Sequence, residues 1–112
     1  NLILAGFSHN SWLSNIFYKN NKFVVVEIGA PSITSPNFVD TFGDFTEALD
    51  KSFIDSNKDL IWTNGRNKGY VELNIFSEYV DVKFNFVSSV KSKNYKNLKP
   101  ITFKVKHSEA IT

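Results

Sequence analysis

The 112 residues are 42% hydrophobic and 15% aromatic, which excludes a disordered tail, and the length confines the chain to one domain or part of one. Cysteine is absent, which excludes disulfides and thiolate metal sites within the chain and leaves the redox compartment open; no run is apolar enough for a transmembrane helix, and the lack of a signal-peptide pattern within these residues says nothing of what precedes them. The net charge of +2, from 13 basic and 11 acidic residues, gathers its surplus at Lys91, Lys93, Lys96, Lys99, Lys104 and Lys106, which read as a solvated loop and outward strand lysines rather than a phosphate-tracking surface.

Leu2-Ile3-Leu4-Ala5 opens the chain without polar alternation, the pattern of a strand covered on both faces. It breaks into Gly6-Phe7-Ser8-His9-Asn10-Ser11-Trp12, and the end of such a strand is where α/β enzymes commonly place their chemistry. In an extended segment residues 7 and 9 point the same way, so Phe7 and His9 are expected to look into one space. A domain near this size removes roughly 65% of its unfolded surface from water, yet this first strand needs cover from elsewhere. Methionine is also absent, and the chain reads as the C-terminal part of something longer.

Leu13 to Tyr18 is assigned no element. The polar cluster Lys19-Asn20-Asn21-Lys22 is a turn that leads into Phe23 to Ile28, a second buried strand by its valines. In Gly29 to Phe38, Pro31 and Pro36 deny backbone donors and fix φ, giving a rigid loop that leaves the end of a strand. Asp44 with Glu47 has capping-box spacing, and Phe45, Ala48, Leu49 and Phe53 recur helically, so a helix of about three turns is expected over 45–56. Leu60-Ile61-Trp62 is a short extended piece before a turn through Gly65 and Gly69. Val71, Leu73 and Ile75, then Val80, Val82, Phe84 and Phe86, alternate with polar residues about Ser77-Glu78, which is an antiparallel hairpin with one face in a core. Ile101, Phe103 and Val105 form a last strand after a loop of about a dozen residues. The fold class is α+β, mostly antiparallel β with one main helix.

Candidate chemistry is sparse. Ser8 and His9 would point to opposite sides of an extended segment, against the contact of about 3 Å that a nucleophile needs with its base. No Gly-rich phosphate loop is present. His107 lies far from His9, and a lone histidine is more often a surface or hydrogen-bonded residue than a ligand, although a strand end holds a ligand rigidly. Trp12 reads as packing, and Ser32, Thr34 and Ser35 as loop residues that satisfy their own backbone. Arg66 in an Asn/Gly turn reads as solvated, and Tyr70 and Glu72 as lightly covered surface. The aromatics lie in core strands and are not interleaved with basic residues, which argues against nucleic-acid recognition.

Leu2 through Trp12, then Val26-Glu27-Ile28-Gly29-Ala30-Pro31-Ser32-Ile33-Thr34-Ser35-Pro36-Asn37-Phe38, then Gly69-Tyr70-Val71-Glu72-Leu73, resemble in order and spacing the C-terminal third of the PhoD-like alkaline phosphatases. Pro-Ser-Ile-Thr-Ser-Pro is the most specific string, and the likeness covers nearly the whole chain. The resemblance implies that residues 1–112 are the C-terminal portion of a calcineurin-like metallophosphoesterase domain, two packed β-sheets flanked by helices. It implies hydrolysis of phosphate esters outside the cytoplasm, in the periplasm or beyond the cell, by a metal pair such as calcium with iron. His9 occupies the family's last histidine ligand position, and Asn10 is a candidate donor beside the ligand or towards the phosphate. Phe7 stands where the family has an aspartate ligand, and the remaining ligands are expected upstream, in the N-terminal part of the same domain. The isolated chain is therefore expected to be inactive. The competing expectation, favoured by Phe7, is a degenerate non-catalytic homologue or a β-rich binding domain without the metals.

Overall fold

The computed structural model describes residues 1–112. Its strands are β1 (Leu2–Ala5), β2 (Ser11–Tyr18), β3 (Lys22–Gly29), β4 (Leu60–Asn64), β5 (Lys68–Ile75), β6 (Tyr79–Val87) and β7 (Ile101–Lys106), and its helices are α1 (Phe38–Phe42) and α2 (Thr46–Ser56). The strands form a four-stranded sheet in the order β1-β3-β2-β4 and a three-stranded sheet in the order β5-β6-β7. Only the β1–β3 pairing is parallel. The α+β class and its single main helix are as expected.

The alternating residues of the hairpin and of β7 do what a period of two requires. Val82, Phe84, Phe86 and Val105 turn inward and meet Leu13, Val26 and Ile28 of the other sheet in one core. Trp62 of β4 fills the space between the sheets, its ring 4.7 Å from Phe84 and 5.5 Å from Phe103. Each large apolar side chain buried in this way contributes about 1.5–3 kcal/mol. Gly69 pairs with Phe86 so closely that a Cβ there would run into the Asn85 carbonyl.

Strand β2, whose sequence carries no clear strand pattern, lies between β3 and β4. Its buried side chains include Ser11 and Asn15, so its pattern is not simply apolar. Asn15 is satisfied from the far end of the chain: its Nδ2 donates to the Ile111 carbonyl at 2.8 Å and its Oδ1 accepts the Ile111 N–H at 2.9 Å. On the opposite face of this sheet Trp12 meets Phe38 of α1 and Phe53 of α2 edge-on at 6.0 and 5.4 Å, and Phe38 stacks on Phe53 at 5.7 Å. Helices, first sheet and second sheet thus make three layers.

Two expectations fail. The first strand is not covered on both faces: β1 is an edge strand hydrogen-bonded only to β3, with Ile3 47% and Leu4 63% exposed, because no other element of these residues reaches it. The Asp44–Glu47 capping box does not form either. Asp44 sits in a 3₁₀ turn, and α2 begins at Thr46, whose hydroxyl donates to the Gly43 carbonyl at 2.6 Å. Glu47 is drawn instead to Arg66. A bond of capping-box type occurs one helix earlier, where the Asn37 N–H donates to Asp40 Oδ2 at 2.9 Å.

The uncovered edge carries a prediction. Leu4 and Val24 on one face of the sheet and Ile3 on the other, all about half exposed or more, leave apolar surface of the kind that drives association, beside an open strand edge. The 112-residue chain purified alone is expected to self-associate. A clean monomer by light scattering with a cooperative thermal transition would contradict this.

Candidate functional site

The strand end that sequence singles out is a turn. Strand β1 stops at Ala5, and the His9 N–H reaches back to the Gly6 carbonyl at 3.3 Å. His9 adopts φ +65°, a left-handed conformation that non-glycine residues rarely occupy and that collects at functional positions. The alternation that would put Phe7 and His9 on one side therefore does not apply. Phe7 is 99% exposed and helps to line a cavity of about 560 Å³ with Ser8, Trp12, Glu27, Phe53 and Asp59, while His9 is not among the lining residues.

His9 is half-buried and held at both ends. Its Nδ1 lies 3.0 Å from the Pro36 carbonyl, and its own carbonyl accepts the Ser32 N–H at 3.1 Å. A carbonyl oxygen only accepts, so the ring proton belongs on Nδ1, and the lone pair on Nε2 is left free. This is how proteins present a ligating imidazole: the second nitrogen is fixed by a carbonyl or carboxylate, which sets tautomer and orientation. Pro36 was legible as part of a stiff loop, but its role as the acceptor for His9 was not, since no residue type marks a carbonyl in advance.

Asn10 is 1% exposed. Its Oδ1 accepts the Phe38 N–H at 2.9 Å and its Nδ2 donates to the Ser8 carbonyl at 2.7 Å. It thereby satisfies one of the free donors at the start of α1 and bolts the His9 turn to that helix. Asn10→Ala removes both bonds and strands buried groups, so we expect a loss of about 2 kcal/mol, read as a lowered midpoint in urea. An unchanged midpoint would show that the turn does not depend on it.

The supporting residues behave largely as read. Trp12 packs as described and donates from Nε1 to Ser8 Oγ at 2.6 Å. Ser32 Oγ donates to the Ser35 carbonyl at 2.6 Å, within its own loop. Tyr70 is 56% exposed. Arg66 is the correction: it is not free in solvent, because its Nε and Nη2 take both oxygens of Glu47, the latter bond at 2.9 Å. The two groups are brought together by α2 and the β4–β5 turn, a fold contact invisible in either local sequence.

That pair dominates the electrostatics. The Arg66 guanidinium pulls the Glu47 carboxyl down to about 2, and Glu47 raises Arg66 in return. Asp40 is lowered by Lys68, whose Nζ is 2.7 Å away, and by the Asn37 N–H. Asp50 is raised by burial, although both its oxygens accept the Gly65 N–H. A carboxyl depressed on folding stabilises above its unfolded value and loses that contribution as pH falls. The stability advantage of the native chain over Glu47→Gln should therefore be complete above 4.5 and fade as pH approaches 2. Asp50, raised, has the opposite sign: it favours folding in acid and loses that contribution as pH rises. An advantage independent of pH would contradict the Glu47 assignment.

No three side chains of His, Cys, Asp or Glu converge anywhere in the chain. These residues fit one coordination position, the free Nε2 of His9, and not a whole metal site.

No curated protein matches the chain in sequence. A solved structure titled "Structure of PhoD" matches with a TM-score of 0.71 at 18% identity, covering 94% of this chain and 20% of that one. The two share a fold, and the present residues span about a fifth of that chain's length. A family model described as PhoD-like phosphatase matches residues 1–84, which include β1, the His9 turn and the Pro31–Pro36 loop. With 84 of its 112 residues so matched, the chain belongs to the PhoD-like phosphatase family.

Proposed function

We propose that these residues are the C-terminal portion of a calcineurin-like metallophosphoesterase domain that hydrolyses phosphate esters outside the cytoplasm, and that His9 gives one imidazole to its metal pair. The observation that carries the reading is the Nδ1 contact with Pro36, which frees Nε2 in the tautomer a metal needs. The uncovered β1 edge and the share of the matched structure that this chain spans support a division of the site, with the other ligands upstream. When bound, a calcium and iron pair or its like would clamp the phosphate and acidify a water. The chain's own part is to hold the imidazole: Pro36 fixes the ring, Ser32 fixes the backbone behind it, and Asn10 fastens the turn to α1. We assign Asn10 to that support, since it is buried and bonded at both polar atoms.

A second reading, a homologue without catalysis, rests on Phe7, a side chain that coordinates nothing at the position where the family's aspartate is expected. Purified full-length protein separates the two. Metal-dependent turnover of a chromogenic phosphate ester supports the enzyme, and its absence in metal-loaded protein supports the non-catalytic homologue.

A further inference from the structure

The loop that follows β6 is a built structure. Its neck is closed by a bridge between Val87 and Asn97. The Ser88 N–H donates to the Lys96 carbonyl, the Lys96 N–H to Ser88 Oγ and the Leu98 N–H to the Phe86 carbonyl, each at 2.9 Å. Two serine hydroxyls brace its tip, Ser89 accepting the Lys91 N–H at 3.0 Å and Ser92 the Asn94 N–H at 3.1 Å. So closed, the loop curls against the start of β5 and Ile33 and forms one side of an open cleft of about 480 Å³, a volume within the range of small-molecule sites. Ile33, Tyr70, Val90 and Tyr95 give it apolar walls, and Lys91 and Lys93 are its only charged lining residues. Neither lysine has an ion-pair partner. Both tyrosines and Ile33 are more than half exposed.

The cavity wall is linked to the His9 turn through the backbone of Ser32. The His9 carbonyl accepts the Ser32 N–H at 3.1 Å, the Ser32 carbonyl accepts the Gly69 N–H at 3.0 Å, and Gly69 is part of the cavity wall. Two hydrogen bonds therefore join the candidate ligand to a cavity that no part of the metal reading uses.

We propose that the cavity receives the organic group of the substrate and that this group is a flat ring carried next to negative charge, as in an aryl or nucleoside phosphate. Exposed tyrosine rings offer faces on which a planar group stacks. Lys91 and Lys93 form no salt bridge, and although Lys91 also feels the charge of Asp40, two cations with no carboxylate in the cavity wall favour an anion beside it. A loop already closed at its neck loses little order on binding. The substrate assignment rests on the phosphatase reading, whereas ring binding can be read without turnover.

The test is calorimetric titration of the full-length protein with phenylphosphonate and with methylphosphonate, whose carbon–phosphorus bonds are not hydrolysed. Phenylphosphonate should bind about tenfold more tightly. Tyr95→Ala should remove most of that preference and leave methylphosphonate unchanged, and Tyr70→Leu is the second variant, with a melting curve of each read beside the titration to show that the fold is kept. Lys91→Gln with Lys93→Gln should weaken both ligands, with a smaller effect at high salt. Equal or absent binding of the two phosphonates, or a preference that survives both tyrosine changes, overturns the proposal. Ring preference without any ester hydrolysis contradicts the phosphatase and retains the ring site; hydrolysis without ring preference does the reverse.

Discussion

Replacing His9 in the full-length protein is expected to lower hydrolysis of a phosphate ester by roughly 100-fold or more, since changes merely beside a ligand already cost about 10- to 100-fold. Alanine is the simple substitution, but it also removes the imidazole contact with the Pro36 carbonyl that helps to hold the turn at φ +65°. Asparagine tolerates that φ better. His9→Asn should therefore keep the melting temperature near that of the native protein while metal content and turnover fall together. Full activity and unchanged metal in His9→Asn would remove His9 from the site. Loss of activity with unchanged metal would give it a role other than ligation.

Phe7→Asp should act in the opposite direction. Phe7 is 99% exposed among these residues, so within them the ring contributes almost no packing; a melting temperature read beside activity shows whether a gain comes from the new carboxylate or from a changed fold. Phe7 and His9 do not line one cavity within these residues, so the expectation rests on the family position of residue 7: in the full-length protein it predicts more tightly held metal and a rise in turnover of between roughly 10- and 100-fold. If the native protein already holds two metals tightly and gains nothing, position 7 is not where the family's aspartate belongs.

How far the sequence could be read depended on whether partners were local. Strands β5, β6 and β7 were legible because Val82, Phe84 and Phe86 alternate with Asp81, Lys83 and Asn85 across a sheet with one buried face. The main helix was legible from its period. Strand β2 was not, because Ser11 and Asn15 are buried polar residues, and the groups that satisfy Asn15 lie 96 residues away. The apolar run of β1 indicated burial, yet its cover is not among these residues. The spacing of Asp44 and Glu47 suggested a cap, but an arginine 19 residues beyond Glu47 competes better for its carboxylate. At the site, His9 stood out from its place after a strand. Its left-handed backbone, the Pro36 acceptor and the Asn10 brace are tertiary facts, and the assumption of an extended segment concealed the turn that creates them.

The most direct measurement is the metal environment of the full-length protein by anomalous diffraction from crystals. An ion bonded to Nε2 of His9 is expected, with Nδ1 still facing the Pro36 carbonyl and the other ligands drawn from outside residues 1–112. An ion bonded through Nδ1, or a metal centre that leaves His9 unligated, would contradict this.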